Sequence, residues 1–346
     1  MYDYIIVTHL PAFYKVNLYN ELSNKLNILV VFIAVETNEK RSSDFSSLSN
    51  CNFEYTILSD RSFQNRNKMK TLYKLFLVLN KKKYKKILLS GWDLIEFWFL
   101  ALLSPNGKNS LALESTVIES NTNGVRGGVK KVFLSMISTV FASGKLHVDL
   151  LNKLNYKKEI RITKGVGIIN KPKYKNINKV YQKRFLYIGR LSQEKNINLL
   201  ISIFNELQDY QLTIIGDGIE KVNLMAIANN NIKFIDPVEN VKLKYFFYEN
   251  DIFILPSISE PWGLVVEEAL YFGLPVIVSD RCGSSELVVN DINGYIIPHD
   301  NKTYIKKTII DIDIEGKYDD LLIGASKFIK NNKDYYQVEE YVSIFK

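Results

Sequence analysis

The sequence predicts an α/β protein with two domains, each built on a parallel sheet covered by helices. The chain has 346 residues, of which 47% are hydrophobic, so it is long and apolar enough for two sizeable cores. Short apolar runs alternate with stretches of helical periodicity on both sides of a polar, basic segment at 171–183. That segment has no apolar period, so we predict that it is a linker between domains.

The predicted elements alternate along the chain. Before the linker, apolar runs rich in β-formers predict strands at 4–7, 28–34, 86–90, 110–113, 139–143 and 160–163. After it, similar runs predict strands at 185–188, 212–215, 232–235, 252–255, 275–279 and 295–297. Because helical segments separate these strands, we expect parallel sheets with helices on both faces. The predicted domains span residues 1–170 and 184–329, and residues 330–346 form a final helical piece.

One apolar segment, residues 87–103, has about the length of a membrane span. Asp93 and Glu96 lie near its middle, where charge is costly in a bilayer. We therefore predict a strand at 86–90 and a buried helix at 93–103. The chain opens on a predicted strand, so no signal peptide is expected.

Cysteine and histidine are too scarce for a disulfide framework or a zinc cluster. The chain has two cysteines, Cys51 and Cys282, and three histidines. We therefore expect no metal site and no structural disulfide.

The most informative stretch is 255–286, which predicts a strand, a loop, a helix starting near Gly263, and a second strand. Glu260 lies in the loop, and Glu268 lies eight positions on, inside the helix. A helix N-terminus binds anions through its free backbone amides, and flanking carboxylates can accept hydrogen bonds from sugar hydroxyls. The combination suits a phosphate with a sugar on each side. The alternative is that these carboxylates only complement the helix dipole.

Two basic residues mark a second candidate site. A strand at 185–188 runs into a glycine turn at Gly189, and Arg190 and Lys195 flank the start of the following helix. Open α/β sheets bind ligands at such strand ends, although two basic residues can also be an ordinary solvated surface. A later strand ends in Gly216-Asp217-Gly218, which a simple turn also explains.

These segments resemble the retaining glycosyltransferases of family 4. EPWGLVVEEAL at 260–270, GLPVIVSDRCG at 273–283 and NGYIIP at 293–298 are similar to the family's E-x7-E region. Residues 189–196 resemble its GR-x-x-x-EKG motif, with Asn196 in place of the usual glycine. The resemblance implies the GT-B fold, in which two Rossmann-like domains face a central cleft. It also implies that the final helix, 330–346, crosses back to the first domain.

The resemblance assigns roles to individual residues. Arg190 and Lys195 would neutralise the diphosphate of a UDP- or GDP-linked sugar, Glu260 would orient the donor sugar, and Glu268 would bind the ribose. The first three are the predicted catalytic residues. The other residues assigned to the donor are Gly189, Gly216, Asp217, Val238, Trp262, Gly263 and Leu264. No metal is expected to take part.

The acceptor side is harder to read from the sequence. Three polar residues follow predicted strands of the first domain, namely His9, Asp93 and Glu114. We expect them on the acceptor side, where a glycan or a polyprenyl-diphosphate-linked sugar would bind.

Charge is distributed unevenly along the chain. Residues 1–175 carry 27 Lys and Arg against 13 Asp and Glu, a net +14, whereas the remainder carries −6. The densest basic run, 61–86, has apolar residues at helical spacing and predicts a basic amphipathic helix that attracts an anionic membrane. The alternative is a solvated outer helix. No nucleic-acid motif accompanies the charge, so no nucleic-acid partner is expected.

The sequence therefore predicts a cytoplasmic, metal-independent retaining glycosyltransferase, peripheral on the inner face of the membrane. Its composition, rich in Lys, Asn, Ile and Tyr, suggests an AT-rich bacterial genome and a role in surface-polysaccharide assembly such as O-antigen or capsule. Two alternatives remain open. A sugar-nucleotide epimerase of the same architecture would act without an acceptor, and a non-catalytic basic binding protein would bind no nucleotide sugar.

Overall fold

The computed structural model describes residues 1–39, 42–173, 179–328 and 332–346. The chain divides into two compact units, one formed by Met1–Ile168 with Asn332–Lys346 and the other by Ile169–Asn331. Residues 174–178 of the predicted linker lie outside the described residues, as do residue 329 and the first two residues of the predicted final segment. The described ends of that linker belong to the second unit.

The described part of the first unit contains a seven-stranded parallel sheet. Its strands are β1 (Tyr2–Thr8), β2 (Ile28–Phe32), β3 (Glu54–Ile57), β4 (Tyr84–Leu89), β5 (Asn109–Leu113), β6 (Thr139–Ala142) and β7 (Glu159–Ile162). The strand order is β3-β2-β1-β4-β5-β6-β7. The inner strands are apolar on both faces, as expected for a parallel sheet that is covered on both sides.

Six helices cover this sheet. They are α1 (Phe13–Ser23), α2 (Lys68–Lys81), α3 (Ile95–Leu103), α4 (Gly124–Ser135), α5 (Lys145–Lys153) and α12 (Lys333–Val342). Helices α2 to α5 pack in one apolar cluster, and helices α1 and α12 pack in another. In the second cluster, Tyr341 of α12 stacks on Phe141 of β6 with ring centroids 4.2 Å apart. The C-terminal helix is therefore part of the core of the first unit.

The second unit contains a six-stranded parallel sheet among its described residues. Its strands are β8 (Arg184–Ile188), β9 (Gln211–Ile215), β10 (Ile232–Ile235), β11 (Ile252–Leu255), β12 (Val276–Ser279) and β13 (Gly294–Ile297), in the order β10-β9-β8-β11-β12-β13. Its helices are α6 (Ile197–Phe204), α7 (Lys221–Ile227), α8 (Asn240–Glu249), α9 (Leu264–Tyr271), α10 (Lys302–Asp311) and α11 (Lys317–Lys327). A single large cluster of buried residues surrounds the sheet.

All twelve predicted strands are present, with ends within two residues of the expected positions. One strand, β3, was not predicted, because its residues are exposed or half-buried and leave no buried apolar run. The basic segment 61–86 is not a single helix. It contains α2, but Lys85 and Lys86 lie on β4.

The apolar segment 87–103 folds as the end of β4 followed by α3. Within the described ranges, no helix is long and apolar enough to cross a bilayer.

Candidate functional site

The second unit has a topological switch point between β8 and β11. From β8, the chain crosses to β9 on one side, and later returns to place β11 on the other side. Loops that leave neighbouring strands in opposite directions open a crevice at the carboxyl end of the sheet, where ligands bind in open α/β folds. The loops at this point are 189–196, after β8, and 256–263, after β11.

An ion pair joins these two loops. Lys195 Nζ lies 2.5 Å from Glu260 Oε2, and the two side chains are only 9% and 15% exposed. Glu260 is held by its backbone, since its N–H donates to Arg281 O at 3.1 Å and its carbonyl accepts from Gly283 N at 2.9 Å. The structure therefore brings two of the predicted catalytic residues together at the switch point.

Arg190, the third predicted catalytic residue, is anchored by its backbone rather than by its side chain. Its carbonyl accepts a hydrogen bond of 2.9 Å from the hydroxyl of buried Tyr187. Its side chain is 59% exposed and lies 3.9 Å from Glu194. The guanidinium therefore extends into solvent beside the loop.

Asn196 stands where the similar motif has glycine, and its conformation shows how this loop accommodates a side chain there. Its backbone is left-handed, with φ of 58°, a conformation that Asn tolerates better than most residues with a side chain. Its side-chain amide donates to Pro256 O at 3.2 Å and to His299 O at 2.8 Å. Asn196 therefore keeps the turn and also ties it to the loop after β11.

The loops after β8 and β9 lie in direct contact. A Cβ on Gly216 would sit 1.9 Å from the carbonyl oxygen of Gly189, so only glycine fits there. The N–H of Leu191 donates to Asp217 O at 2.9 Å. The predicted donor residues Gly189, Gly216 and Asp217 are therefore neighbours.

Helix α9 begins beside the ion pair. Gly263 is its N-cap, with φ of 89°, and a Cβ there would lie 3.1 Å from Glu260 Cγ and 3.0 Å from Cys282 Sγ. Leu264 is the first helical residue. The N–H of Val266 donates to Gly263 O at 3.0 Å. The amides of the first turn generally lack partners one turn earlier in the helix, so this end can bind an anion.

Trp262 is a buried anchor of the loop before α9. It is 3% exposed, and its indole N–H donates to Glu267 Oε1 at 2.5 Å. Sequence reasoning missed Glu267, because it adjoins Glu268 and carries no motif of its own. The pair fixes the loop that places Glu260.

Glu268 has a different set of partners from Glu260. Its Oε1 accepts from Asn240 Nδ2 at 2.8 Å, and Asn240 Oδ1 accepts from Asn170 Nδ2 at 2.7 Å. Glu268 also lines a cavity of about 400 Å³ with Asn240, apolar side chains of α8, and Phe272, which follows α9. Val238 lies in the loop just before α8. The two predicted carboxylates therefore sit in separate hydrogen-bond networks.

The first unit has its own switch point, between β1 and β4. His9 follows β1, and its Nε2 lies 3.1 Å from Oδ2 of Asp93, which follows β4. Burial alone would raise the pKa of Asp93, but the hydrogen bond and charge of His9 hold that pKa below its usual range. The structure therefore pairs two of the three predicted acceptor-side residues.

Glu114, the third, follows β5 and pairs with Lys15 of α1 at 2.7 Å. Lys15 is 6% exposed. Burial alone would lower the pKa of Lys15, but the charge of Glu114 raises it above its usual value. Sequence reasoning missed Lys15, since nothing in the sequence marks it as the partner of a strand-end glutamate.

Part of the chain matches a known family. Residues 170–332 match the family described as glycosyl transferases group 1. The chain is 27% identical over 179 residues to an uncharacterized 41.2 kDa protein in the cps region of Klebsiella pneumoniae, covering 49% of each chain. It is 30% identical over 173 residues to the O-antigen biosynthesis glycosyltransferase WbnH of Escherichia coli, covering 49% of this chain and 47% of WbnH. The chain spans about half the length of these curated relatives.

A solved structure matches the whole chain. HepE of Anabaena, crystallised with UDP and glucose, superimposes with a TM-score of 0.74 at 14% identity, covering 100% of this chain and 99% of HepE. The GT-B fold class is confirmed, with two parallel α/β sheets. The stretch that matches the group 1 family, residues 170–332, contains the second parallel sheet.

Proposed function

We propose that the protein is a retaining glycosyltransferase of family 4. It would move a sugar from a nucleotide diphosphate sugar to a hydroxyl of a glycan or a lipid-linked acceptor. The observation that carries this proposal is the pairing of Lys195 with Glu260 at the switch point of the group 1 domain, beside the start of α9. A cation and a helix N-terminus at one crevice suit a diphosphate.

The diphosphate is bound by three sources of positive charge. Lys195 has three N–H donors, and Glu260 takes one of them, so the ammonium can still donate to phosphate oxygens. The exposed guanidinium of Arg190 can close on the same group, and the α9 amides add to both. These groups stabilise the charge that develops on the leaving diphosphate, so the reaction needs no metal.

The nucleoside is bound at Glu268 and Val238. A carboxylate at this place in a Rossmann-like domain accepts hydrogen bonds from ribose hydroxyls. Asn240 engages Oε1 of Glu268 and so fixes the carboxylate. UDP bound to HepE favours uridine over guanosine in the donor of this protein as well.

Transfer proceeds on the face from which the diphosphate leaves. The acceptor oxygen forms a bond to the anomeric carbon as the bond from that carbon to the phosphate oxygen breaks. The acceptor proton passes to the leaving phosphate, and the anomeric configuration is retained. Glu260 fixes Lys195 and orients the donor sugar during this step.

The acceptor is a glycan or a polyprenyl-diphosphate-linked sugar bound at the switch point of the first unit. His9 with Asp93 and Glu114 with Lys15 offer donors and acceptors to sugar hydroxyls there. The O-antigen role of WbnH supports surface-polysaccharide assembly as the setting. The protein would then act in the cytoplasm, peripheral on the inner face of the membrane.

The test is an incubation with a panel of UDP- and GDP-sugars, with and without lipid-linked acceptor. A transferase releases UDP or GDP and forms a glycosylated lipid whose linkage has the anomeric configuration of the donor. Conversion of the nucleotide sugar without acceptor would instead identify an epimerase. Absence of any turnover or nucleotide binding across the panel would contradict the proposal.

A further inference from the structure

Three helices of the first unit, α2, α3 and α4, form one continuous outer layer. All three supply buried residues to the same apolar cluster against the sheet. Helices α2 and α3 pack together, and Trp98 of α3 contacts Phe133 of α4 with ring centroids 5.0 Å apart. Their outer faces therefore belong to one surface, which we call the α2–α4 surface.

The α2–α4 surface exposes an unusual amount of apolar side chain. On α4, Val125, Val129 and Val132 are 84%, 48% and 58% exposed and follow helical spacing, so they form one stripe. The neighbouring helices expose Met69, Tyr73, Phe76, Ile95, Leu102 and Leu103. Exposed apolar side chains gathered on three neighbouring helices are typical of an interaction surface.

The charges on this surface have one sign. All residues of the three helices are described, and their cationic residues are Lys68, Lys70, Lys74, Lys81, Arg126, Lys130 and Lys131. Their single carboxylate, Glu96, is buried and held by Arg66 at 2.7 Å. Two carboxylates outside these helices lie near their cations. Asp60 lies 3.9 Å from Lys70, and the negative charge of Glu119 interacts with Lys130. The α2–α4 surface is thus apolar and cationic, complementary to an anionic lipid bilayer.

Three of the four lysines that follow α2 are engaged within the first unit. Lys82 lies 3.2 Å from Glu54, Lys85 lies 2.7 Å from Asp3, and Lys86 donates to Gly107 O at 2.8 Å. The end of the basic run is therefore partly neutralised by its own neighbours. The surface that faces a membrane is better placed on the helices than on residues 82–86.

We propose that the α2–α4 surface docks on an anionic lipid bilayer. The valines of α4 and the leucines at the end of α3 enter the boundary between headgroups and acyl chains, and Arg126 and Lys131 contact the headgroups. The inference rests on the membrane association proposed above and names its surface, and it does not depend on the transfer reaction. Trp98 lines a groove with Val125, Val129 and Val132, so lipid contact will change its environment.

Co-sedimentation of the full-length protein with vesicles tests this. Wild type is expected to sediment with mixed phosphatidylcholine–phosphatidylglycerol vesicles and to do so less as salt rises. Its tryptophan emission should shift to the blue, and this shift should be lost in Trp98→Phe. Changing Val125, Val129 and Val132 together to Ser should lower the affinity about tenfold or more, as should Arg126→Gln with Lys131→Gln.

The second unit offers matched controls. Val180, Val222 and Val289 are 77%, 78% and 52% exposed, and changing these three valines to Ser should leave vesicle binding unchanged. Exposed Lys233 and Lys307 provide the charge control as Gln variants. The inference would be overturned if the control variants lost as much vesicle affinity as the surface variants, or if the valine variant bound vesicles as well as wild type. It would also be overturned if wild type bound phosphatidylcholine vesicles equally well, or did not sediment with vesicles at all. UDP and GDP binding measured on the same variants keeps this outcome separate from failure of the transferase proposal.

Discussion

At the scale of single residues, each unit carries an acid–base pair across its switch point. Lys195 with Glu260 and His9 with Asp93 occupy the same topological position, since each joins the loops after the two central strands. The loop that leaves each strand end fixes one partner, and the pair spans the crevice. This arrangement places a charged or polar group where a ligand of each domain would lie.

The first prediction concerns Arg190 and Lys195, the two cations of the proposed donor site. Arg190→Ala and Lys195→Ala should each lower turnover about a hundredfold or more, because each removes positive charge positioned for the leaving diphosphate. Steady-state rates with the active donor measure this, and circular dichroism checks that the fold is intact. Lys302→Ala is the control, since Lys302 pairs with Glu206 on the surface at 2.7 Å. Near-wild-type rates in both site variants would remove these cations from the mechanism.

The second prediction separates the two carboxylates. Glu268→Gln should mainly raise the KM for the donor, because Glu268 contacts the ribose in our account. Glu260→Gln should mainly lower kcat, because it releases Lys195 and misplaces the sugar. If Glu268→Gln left the donor affinity unchanged, Glu268 would have no role in donor binding and would serve only as a hydrogen-bond partner of Asn240.

The motifs predicted candidate site residues, but they did not reveal several side chains that contact those residues in the structure. Arg190, Lys195 and Glu260 follow strand ends in recognisable patterns, so the sequence alone could place them near one crevice. Asn240, Glu267 and Lys15 could not be found in this way. Lys15 and Asn240 reach Glu114 and Glu268 through packing between elements that are distant in the chain, which leaves no signature in one sequence. Glu267 contacts Trp262 only five residues away, but it carries no motif of its own.

At the scale of elements, α5 carries a histidine that makes the first unit sensitive to acid. His147 is fully buried, and burial lowers its pKa to about 4 from the ordinary value of 6.5. Between these values the unfolded chain binds more protons than the folded one. The stability that comes from keeping His147 neutral is therefore complete above pH 6.5 and is lost as the pH falls towards 4.

The third prediction is how much stability the first unit loses on acidification, and where in the structure the loss is seen. The free energy of unfolding of the first unit should fall by roughly 3 kcal/mol between pH 7 and pH 4 from His147 alone. Hydrogen exchange of α5 and β6 amides as a function of pH measures it. His147→Gln should make this exchange depend less on pH. His299→Asn is the control, because residue 299 lies in the second unit and the measured amides of α5 and β6 lie in the first. If the free energy of unfolding depended on pH as steeply in His147→Gln as in wild type, the loss of stability would come from other groups.

The strands were predictable because parallel strands that are covered on both faces leave continuous apolar runs. Edge strand β3 leaves none, so periodicity could not reveal it. The prediction of one helix over 61–86 was wrong because the basic and apolar pattern continues without a break from α2 into β4. The start of β4 is set by its pairing with β1, which the pattern does not show.

At the scale of the whole molecule, the two units share one design. Each is a parallel sheet with a single reversal of strand order, and each brings polar residues to that reversal. The sequence resemblance came from motifs in the second unit, and the family match covers that unit alone. The residues of the first unit carry no comparable motif, and its candidate ligand site is defined by the contacts of His9 with Asp93 and of Lys15 with Glu114.

The most direct test of the central claim is calorimetric titration of UDP and GDP into the full-length protein. Our account predicts saturable binding of one of these nucleotides. The affinity should fall about tenfold or more in Lys195→Ala and in Glu268→Gln, and it should be unchanged in His9→Ala. Failure of both nucleotides to bind, or equal binding by wild type and the Lys195 and Glu268 variants, would contradict the assignment of the second unit as the donor site.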